Sequence, residues 1–275
     1  MDHLTLSLET ATRGGSLALL RGDTLLTSST GIADESHSVN LLSQIETLLH
    51  DARVTLRDVD LFAVASGPGS FTGLRIGLAT MKAFAVVFER PCVGVPTLDA
   101  IIYAAGESEC TFALLPAGRG EVFALASLGA RASRSILDGD RTYQPGGEFV
   151  ESSERLTALV SAGGTPAVPR GPIHVPPRVL LDRITEANSI RWAGPGAHLY
   201  KEMIRERAAA LGVMFVEEPA DASDEATQWV LAPNIDQLAE IVGRLAIQRV
   251  ASGETHHAED LHAIYVRPSD AELNK

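Results

Sequence analysis

Cysteine is nearly absent from this chain, with only Cys92 and Cys110 in 275 residues. Neither sits in a C-x-x-C or other metal spacing, so a disulfide framework and a cysteine-built metal site are excluded. Two reduced, buried thiols in a cytoplasmic protein are expected. Basic residues are also scarce, 23 against 35 acidic, for a net charge of -12 and a pI of about 5.1. That balance excludes a broad grip on a nucleic-acid backbone, which needs clustered Lys and Arg. No apolar run approaches spanning length, so no membrane segment is expected. The opening Met1-Asp2-His3-Leu4 lacks a basic region and an apolar core, so no signal peptide is expected. No Gly-x-Ser-x-Gly elbow occurs, and no cysteine has an obvious base, so nucleophilic catalysis has no visible apparatus.

What the chain does have is a run of glycines between a strand and a helix. Gly67-Pro68-Gly69-Ser70-Phe71-Thr72-Gly73-Leu74-Arg75-Ile76-Gly77 follows the apolar strand Asp60 to Ala65 and opens an apolar helix from Leu74 to Phe88. Such a turn leaves backbone N–H groups at a helix N-terminus, where an anion can sit. Gly67 and Gly69 permit close backbone approach, and Ser70 or Thr72 can cap the helix. A well-capped turn with no ligand explains the same residues.

Before that run, Leu4 to Leu8, Gly15 to Leu20 and Thr24 to Ser29 read as an antiparallel meander. A helix from Ser38 to Ala52 carries Leu41, Leu42, Ile45, Leu48 and Leu49 at helical spacing. Val93 to Val95 reads as a strand, and Thr97 to Ala105 as a helix capped by Thr97. A boundary near 106–109 gives two domains, 1–108 and 109–275, with the last helix, Asp236 to Ala251, packing back on the first lobe.

The second half opens as the first does. Thr111 to Leu115 and Glu121 to Leu128 form a hairpin, and a third strand is expected near Ser133 to Leu137. Ser153 to Ser161 reads as a helix and Gly163 to Pro177 as a loop. Strand Ile190 to Ala193 breaks into Gly194-Pro195-Gly196, as Ala65 breaks into Gly67-Pro68-Gly69. A helix from His198 to Ala210, a strand from Val213 to Val216 and an exposed acidic stretch from Glu217 to Thr227 follow. The expected fold is a duplicated α/β unit of the actin-like ATPase kind, two lobes each with a mixed sheet flanked by helices.

The pieces Leu8-Glu9-Thr10-Ala11-Thr12, Gly67 through Gly77, Lys82-Ala83 and Val95-Pro96-Thr97-Leu98 resemble the TsaB (YeaZ) family closely. Arg119-Gly120-Glu121-Val122-Phe123, Gly194-Pro195-Gly196-Ala197 and Tyr265-Val266-Arg267 match it more weakly. The chain is longer than that family's usual members, with the extra residues expected in 163–183 and 217–234. The resemblance implies an actin-like fold and a part in making N6-threonylcarbamoyladenosine beside the tRNA anticodon. It implies a subunit that activates a TsaD-type catalytic partner, with a TsaE-type ATPase joining and tRNA reached only through the complex. ATP or ADP and a metal are then expected in the partner complex, and no cofactor in this chain.

The residues agree with a chain that is not itself an enzyme. The catalytic relative uses His-x-x-x-His on its first long helix, two side chains on one face that ligate a metal. Here His37 is followed four residues on by Leu41. His256, His257 and His262 fit no common metal spacing and read as a solvated tail. Where the family commonly has Asp and Arg in the second-lobe hairpin, this chain has Pro116 and Gly118. An independent magnesium–nucleotide site is therefore in doubt. An autonomous ATPase and a glycoprotease-type peptidase are the rival readings.

The expected partner surface is Leu41, Leu42, Ile45, Leu48 and Leu49 on the first helix with Gly73, Gly77, Thr80 and Phe84 on the second. A homodimer on the same surface is the expectation for the isolated chain. Covering the lobe's own sheet is the competing use of these helices. Thr10, Thr12, Gly67, Gly69 and Ser70 are the expected anion or nucleotide contacts.

Overall fold

The computed structural model describes residues 2–31, 37–128, 171–185, 189–218, 227–235, 237–254 and 257–266. The strand expected near 133–137 and the helix expected at 153–161 lie outside these residues, as do His256 and Arg267.

The chain divides into two compact units, Met1–Ala100 with Asp236–Lys275, and Ile101–Ile235. The sequence placed a single cut near 108. The packed division is discontinuous because the last helix returns to the first sheet.

In the first unit, β1 (Leu4–Glu9), β2 (Ser16–Arg21) and β3 (Thr24–Thr30) form an antiparallel meander, and β4 (Leu61–Gly67) and β5 (Cys92–Pro96) add in parallel. The sheet order is β3-β2-β1-β4-β5. Helix α1 (His37–Asp51) joins β3 to β4, α2 (Phe71–Phe88) joins β4 to β5, and α3 (Thr97–Ala105) follows β5. Thr97 is buried inside α3, and its hydroxyl finds no partner among the described residues, so it does not cap that helix. At 18 residues α2 is long and apolar enough to cross a membrane, against the expectation that no stretch is. Here it is the crossover between two parallel strands of one sheet.

The two faces of β1 explain the layers. Successive side chains point to opposite faces. Leu8 meets α2 at Gly77, and Ser7 meets the last helix, α7 (Leu238–Ala251), at Gly243. On the α7 face the sheet presents Ser7, Ser16 and Ala18, with Leu20 packed against Gly243 and Ala239. Ser16 Oγ accepts a hydrogen bond from Ala239 N at 2.9 Å, and Ser7 Oγ donates to Ala18 O at 3.2 Å. Arg249 closes the helix onto the sheet, donating from Nη1 to Gly94 O at 2.8 Å.

In the second unit, β6 (Cys110–Gly118), β7 (Glu121–Leu128) and β8 (Ile173–Val175) are antiparallel. β9 (Ile190–Ala193), β11 (Gln228–Leu231) and β10 (Met214–Glu217) run parallel beside β6. The order β8-β7-β6-β9-β11-β10 repeats the first unit's pattern and adds one edge strand. Helix α4 (Pro177–Asp182) precedes β9, and α5 (Pro195–Leu199) and α6 (Lys201–Ala210) follow it. The duplication read from the sequence is therefore present in the strand order.

Several expectations are corrected here. β8 lies within the stretch read as a loop, because Ile173 and Val175 bury on alternate positions beside β7. β11 was missed, and Gln228-Trp229-Val230-Leu231 lies inside the sheet with Trp229 fully buried. The helix expected from His198 to Ala210 is two, broken at Tyr200. Trp192 stacks on Phe112 at 5.0 Å and tilts against Trp229 at 5.2 Å, so both tryptophans sit in this unit's core.

Cys92 belongs to the first unit and Cys110 to the second, and both are buried. Burial pushes each thiol from its ordinary 9.0 up to about 12. Both states hold neutral thiols below about pH 9, while above it only the unfolded chain ionises. Stability is expected to decline as pH rises from about 9 towards 12, and a Cys92→Ala, Cys110→Ala chain is expected to show a flatter decline. Denaturant titrations across that range, read by tryptophan fluorescence and circular dichroism, check this.

Candidate interface: the glycine turn and the helix it starts

The glycine turn is filled by its own chain. Gly67 has φ of +107°, is joined to Pro68 by a cis peptide bond, and leaves no room for a side chain. A Cβ there would stand 2.7 Å from Ile264 O and 3.0 Å from Leu74 Cδ1. Ile264 N in turn donates to Ser66 O at 2.7 Å. A Cβ on Gly69 would meet Ala11 at 2.5 Å. The turn is thus enclosed by the end of the first hairpin on one side and by residues 261–266 on the other.

Several polar groups of the turn are engaged as well. Ser70 N donates to Ala11 O at 2.8 Å, and Ser70 Oγ caps α2 by accepting from Gly73 N at 3.2 Å. Thr10, 1% exposed, donates from Oγ1 to Gly73 O at 2.8 Å. Thr12 donates to the buried Glu9 carboxylate from N at 2.6 Å and from Oγ1 at 2.7 Å. Of the residues expected as anion contacts, Thr10, Thr12 and Ser70 make these bonds within the chain, and Gly67 and Gly69 pack against Ile264 and Ala11. Sequence spacing shows free N–H groups at a helix start but not the backbone that comes to meet them.

Gly73 and Gly77 are corrected likewise. Both are buried and face Thr10, so a Cβ on Gly73 would land on Thr10 O and one on Gly77 on Thr10 Oγ1. Their small size brings α2 close to β1, not to a partner. On α1, Leu41, Ile45, Leu48 and Leu49 are buried by the unit's own sheet, and Leu42 alone of the five stays outside, 64% exposed. Phe84 is half-buried, with its ring 5.8 Å from Phe62 and 6.4 Å from Phe88. Thr80, also half-buried, returns its hydroxyl to Ile76 O at 2.9 Å.

A different stripe of α2 is open. Gly73, Leu74, Gly77, Leu78, Met81 and Ala85 face inward. Ile76, Ala79, Thr80, Ala83, Val86 and Val87 form the opposite face, with Val86 67% and Val87 71% exposed. Only a third of this apolar helix is buried. The sequence did not separate the faces because both are apolar. The phase of the glycines, 73 and 77, was the available signal for the inner one. Phe71, Arg75 and Tyr265, which carry part of the family resemblance but were not expected as contacts, gather beside the start of this face. Arg75 lies over the Phe71 ring at 3.9 Å, and its Nε donates to Tyr265 Oη at 3.4 Å.

Among the described residues, no group of three or more His, Cys, Asp or Glu side chains gathers where it could hold a metal ion. α1 begins at His37, one turn ahead of Leu41.

Gly73→Ala gains helix propensity but pushes a methyl into Thr10, so a net loss of about 1–3 kcal/mol in the first unit is expected. Earlier exposure of Cys92 to a thiol reagent in denaturant, in a Cys110→Ala background, measures it.

The family model described as TsaD, tRNA N6-adenosine threonylcarbamoyltransferase, matches residues 26–273. The tRNA threonylcarbamoyladenosine biosynthesis protein TsaB of Haemophilus influenzae is 34% identical over 128 residues, covering 45% of this chain and 53% of that protein. The TsaB protein of Escherichia coli is 33% identical over 93 residues, 34% of this chain and 40% of that one. The chain spans about half the length of the curated relatives it matches. A Pseudomonas aeruginosa crystal structure, of a protein with similarity to peptidase YeaZ, superposes with a TM-score of 0.64 at 23% identity. It covers 96% of this chain and 100% of that one, and it carries the same fold. With a family model that spans most of its length, this chain belongs to the TsaD family, and it is similar to relatives of the TsaB type within it.

Proposed function

We propose that this chain is a non-catalytic subunit in the synthesis of N6-threonylcarbamoyladenosine in tRNA, and that it binds and activates a TsaD-type threonylcarbamoyltransferase. The observation that carries the reading is the outward face of α2. It is long and apolar, and its own unit leaves it uncovered. Such a face in a water-soluble assembly is covered by a partner. Leu42 on the neighbouring α1 supplies further exposed apolar surface. Two helices packed against two of a like-folded partner make a four-helix contact.

The non-catalytic role is supported by the missing second histidine, since Leu41 stands where a metal-ligating pair needs one. The net charge of -12 supports tRNA being held by other subunits of the complex. ATP or ADP, a metal and a TsaE-type ATPase belong in this reading to the assembled complex. In the isolated chain, the same α2 face is proposed to pair with a second copy.

Substituting Leu42→Asp and Val87→Asp together places two carboxylates on the face without touching the core. Pairing with the TsaD-type subunit is expected to weaken by about 3 kcal/mol or more. Threonylcarbamoyladenosine formation by the mixed subunits should fall to the level seen without this chain, while Cys92 stays protected. Undiminished co-elution of the variant with the TsaD-type subunit would overturn the assignment. Heat released on titrating Mg-ATP into the isolated chain would favour an autonomous ATPase instead.

A further inference from the structure

Residues 257–266 are far from the glycine turn in sequence, yet they are built into it. Leu261 is 4% exposed and fills the space beside Gly94 and Ser66. Ile264 extends the end of β4 through its bond to Ser66 O. Tyr265 then lies against Phe71, with ring centroids 5.2 Å apart, and its hydroxyl reaches Arg75 Nε.

The result is an ordered guanidinium at the start of an exposed apolar stripe. Phe71 supports it from below and Tyr265 fixes its Nε edge. The two terminal nitrogens make no hydrogen bond among the described residues, and Arg75 is exposed. A planar fork held this way loses little freedom when it takes a carboxylate at both nitrogens. The local charge points the same way. The whole chain has 35 acidic and 23 basic residues, but the segment 71–90 carries Arg75, Lys82 and Arg90 against Glu89 alone.

We infer that Arg75, positioned by Phe71 and by Tyr265 of the C-terminal segment, is the specificity contact of the α2 face and takes a carboxylate of the docking protein. The fitting partner presents an apolar helix face with an Asp or Glu opposite the first turn of α2. An aromatic-backed arginine at the edge of an apolar stripe has the make-up of a binding hot spot. This inference rests on reading the α2 face as the partner surface.

The test measures the dissociation constant with the TsaD-type subunit from the same source for the wild type and five variants, at two salt concentrations. Arg75→Glu is expected to weaken binding by about a hundredfold, and Arg75→Lys, which keeps the charge but loses the fork, by about tenfold. Tyr265→Phe keeps the ring and frees the guanidinium, for a loss of about threefold. Raising salt should weaken wild-type pairing more steeply than pairing of an Arg75→Gln chain, a difference that a purely structural role for Arg75 does not produce. Val87→Asp separates the two ideas. If it abolishes pairing while Arg75→Glu and Arg75→Lys bind within about twofold of wild type, the arginine assignment fails and the interface stands. If Val87→Asp pairs normally, the interface reading fails and the inference falls with it.

Discussion

The close approach of α2 to the end of β1 is the constraint from which the rest of the first unit follows. Gly73 and Gly77 let the helix rest on Thr10, and the Thr10 hydroxyl fastens it there by donating to Gly73 O. At that distance the inner face of α2 is used up by its own sheet, in contacts whose packing tolerates no added methyl. The outer face is thereby fixed too, because a helix that cannot rotate presents one stripe to solvent. The exposed stripe and the packing of the first unit are thus set by one contact between a threonine and a glycine.

Much of this was legible in the sequence, and the limits have physical causes. The meander, α1, α2 and the repeated Gly-Pro-Gly turns were readable because turn chemistry and apolar periodicity are local signals. β11 was not readable, because Gln228-Trp229-Val230-Leu231 is too short to show a period and follows an acidic stretch. The phase of α2 was misread because apolar residues cover both of its faces, so periodicity gave a helix without a direction. The anion contacts were misread for another reason. Whether a backbone group of the turn is open depends on segments distant in sequence, here Ala11, which accepts from Ser70 N, and Ile264, which donates to Ser66 O, and no local pattern reports them.

The two units show how one plan is used twice with different outcomes. Each has a meander, then a parallel strand that breaks on Gly-Pro-Gly into a helix. In both, the glycines admit backbone of the unit's own first hairpin, Ala11 against Gly69 and Leu114 against Gly194 and Gly196. In the first unit the turn starts 18 residues of apolar helix, and in the second it starts a five-residue helix that stops at Tyr200. The second unit spends its aromatic bulk in the core, with Trp192 and Trp229, and keeps ion pairs such as Arg191 with Glu218 at its margin. Among the described residues, only the first unit carries a long apolar helix face open to solvent.

The first unit is assembled from two stretches far apart in sequence, Met1–Ala100 and Asp236–Lys275. During translation its sheet stays without α7 and the 257–266 segment until residues 238–266 have been synthesised. The second unit's residues are all synthesised before the first unit can close. A stop ahead of residue 238 therefore strikes the unit that holds β1–β5, leaving Ser7, Ser16 and Gly94 without their covering residues.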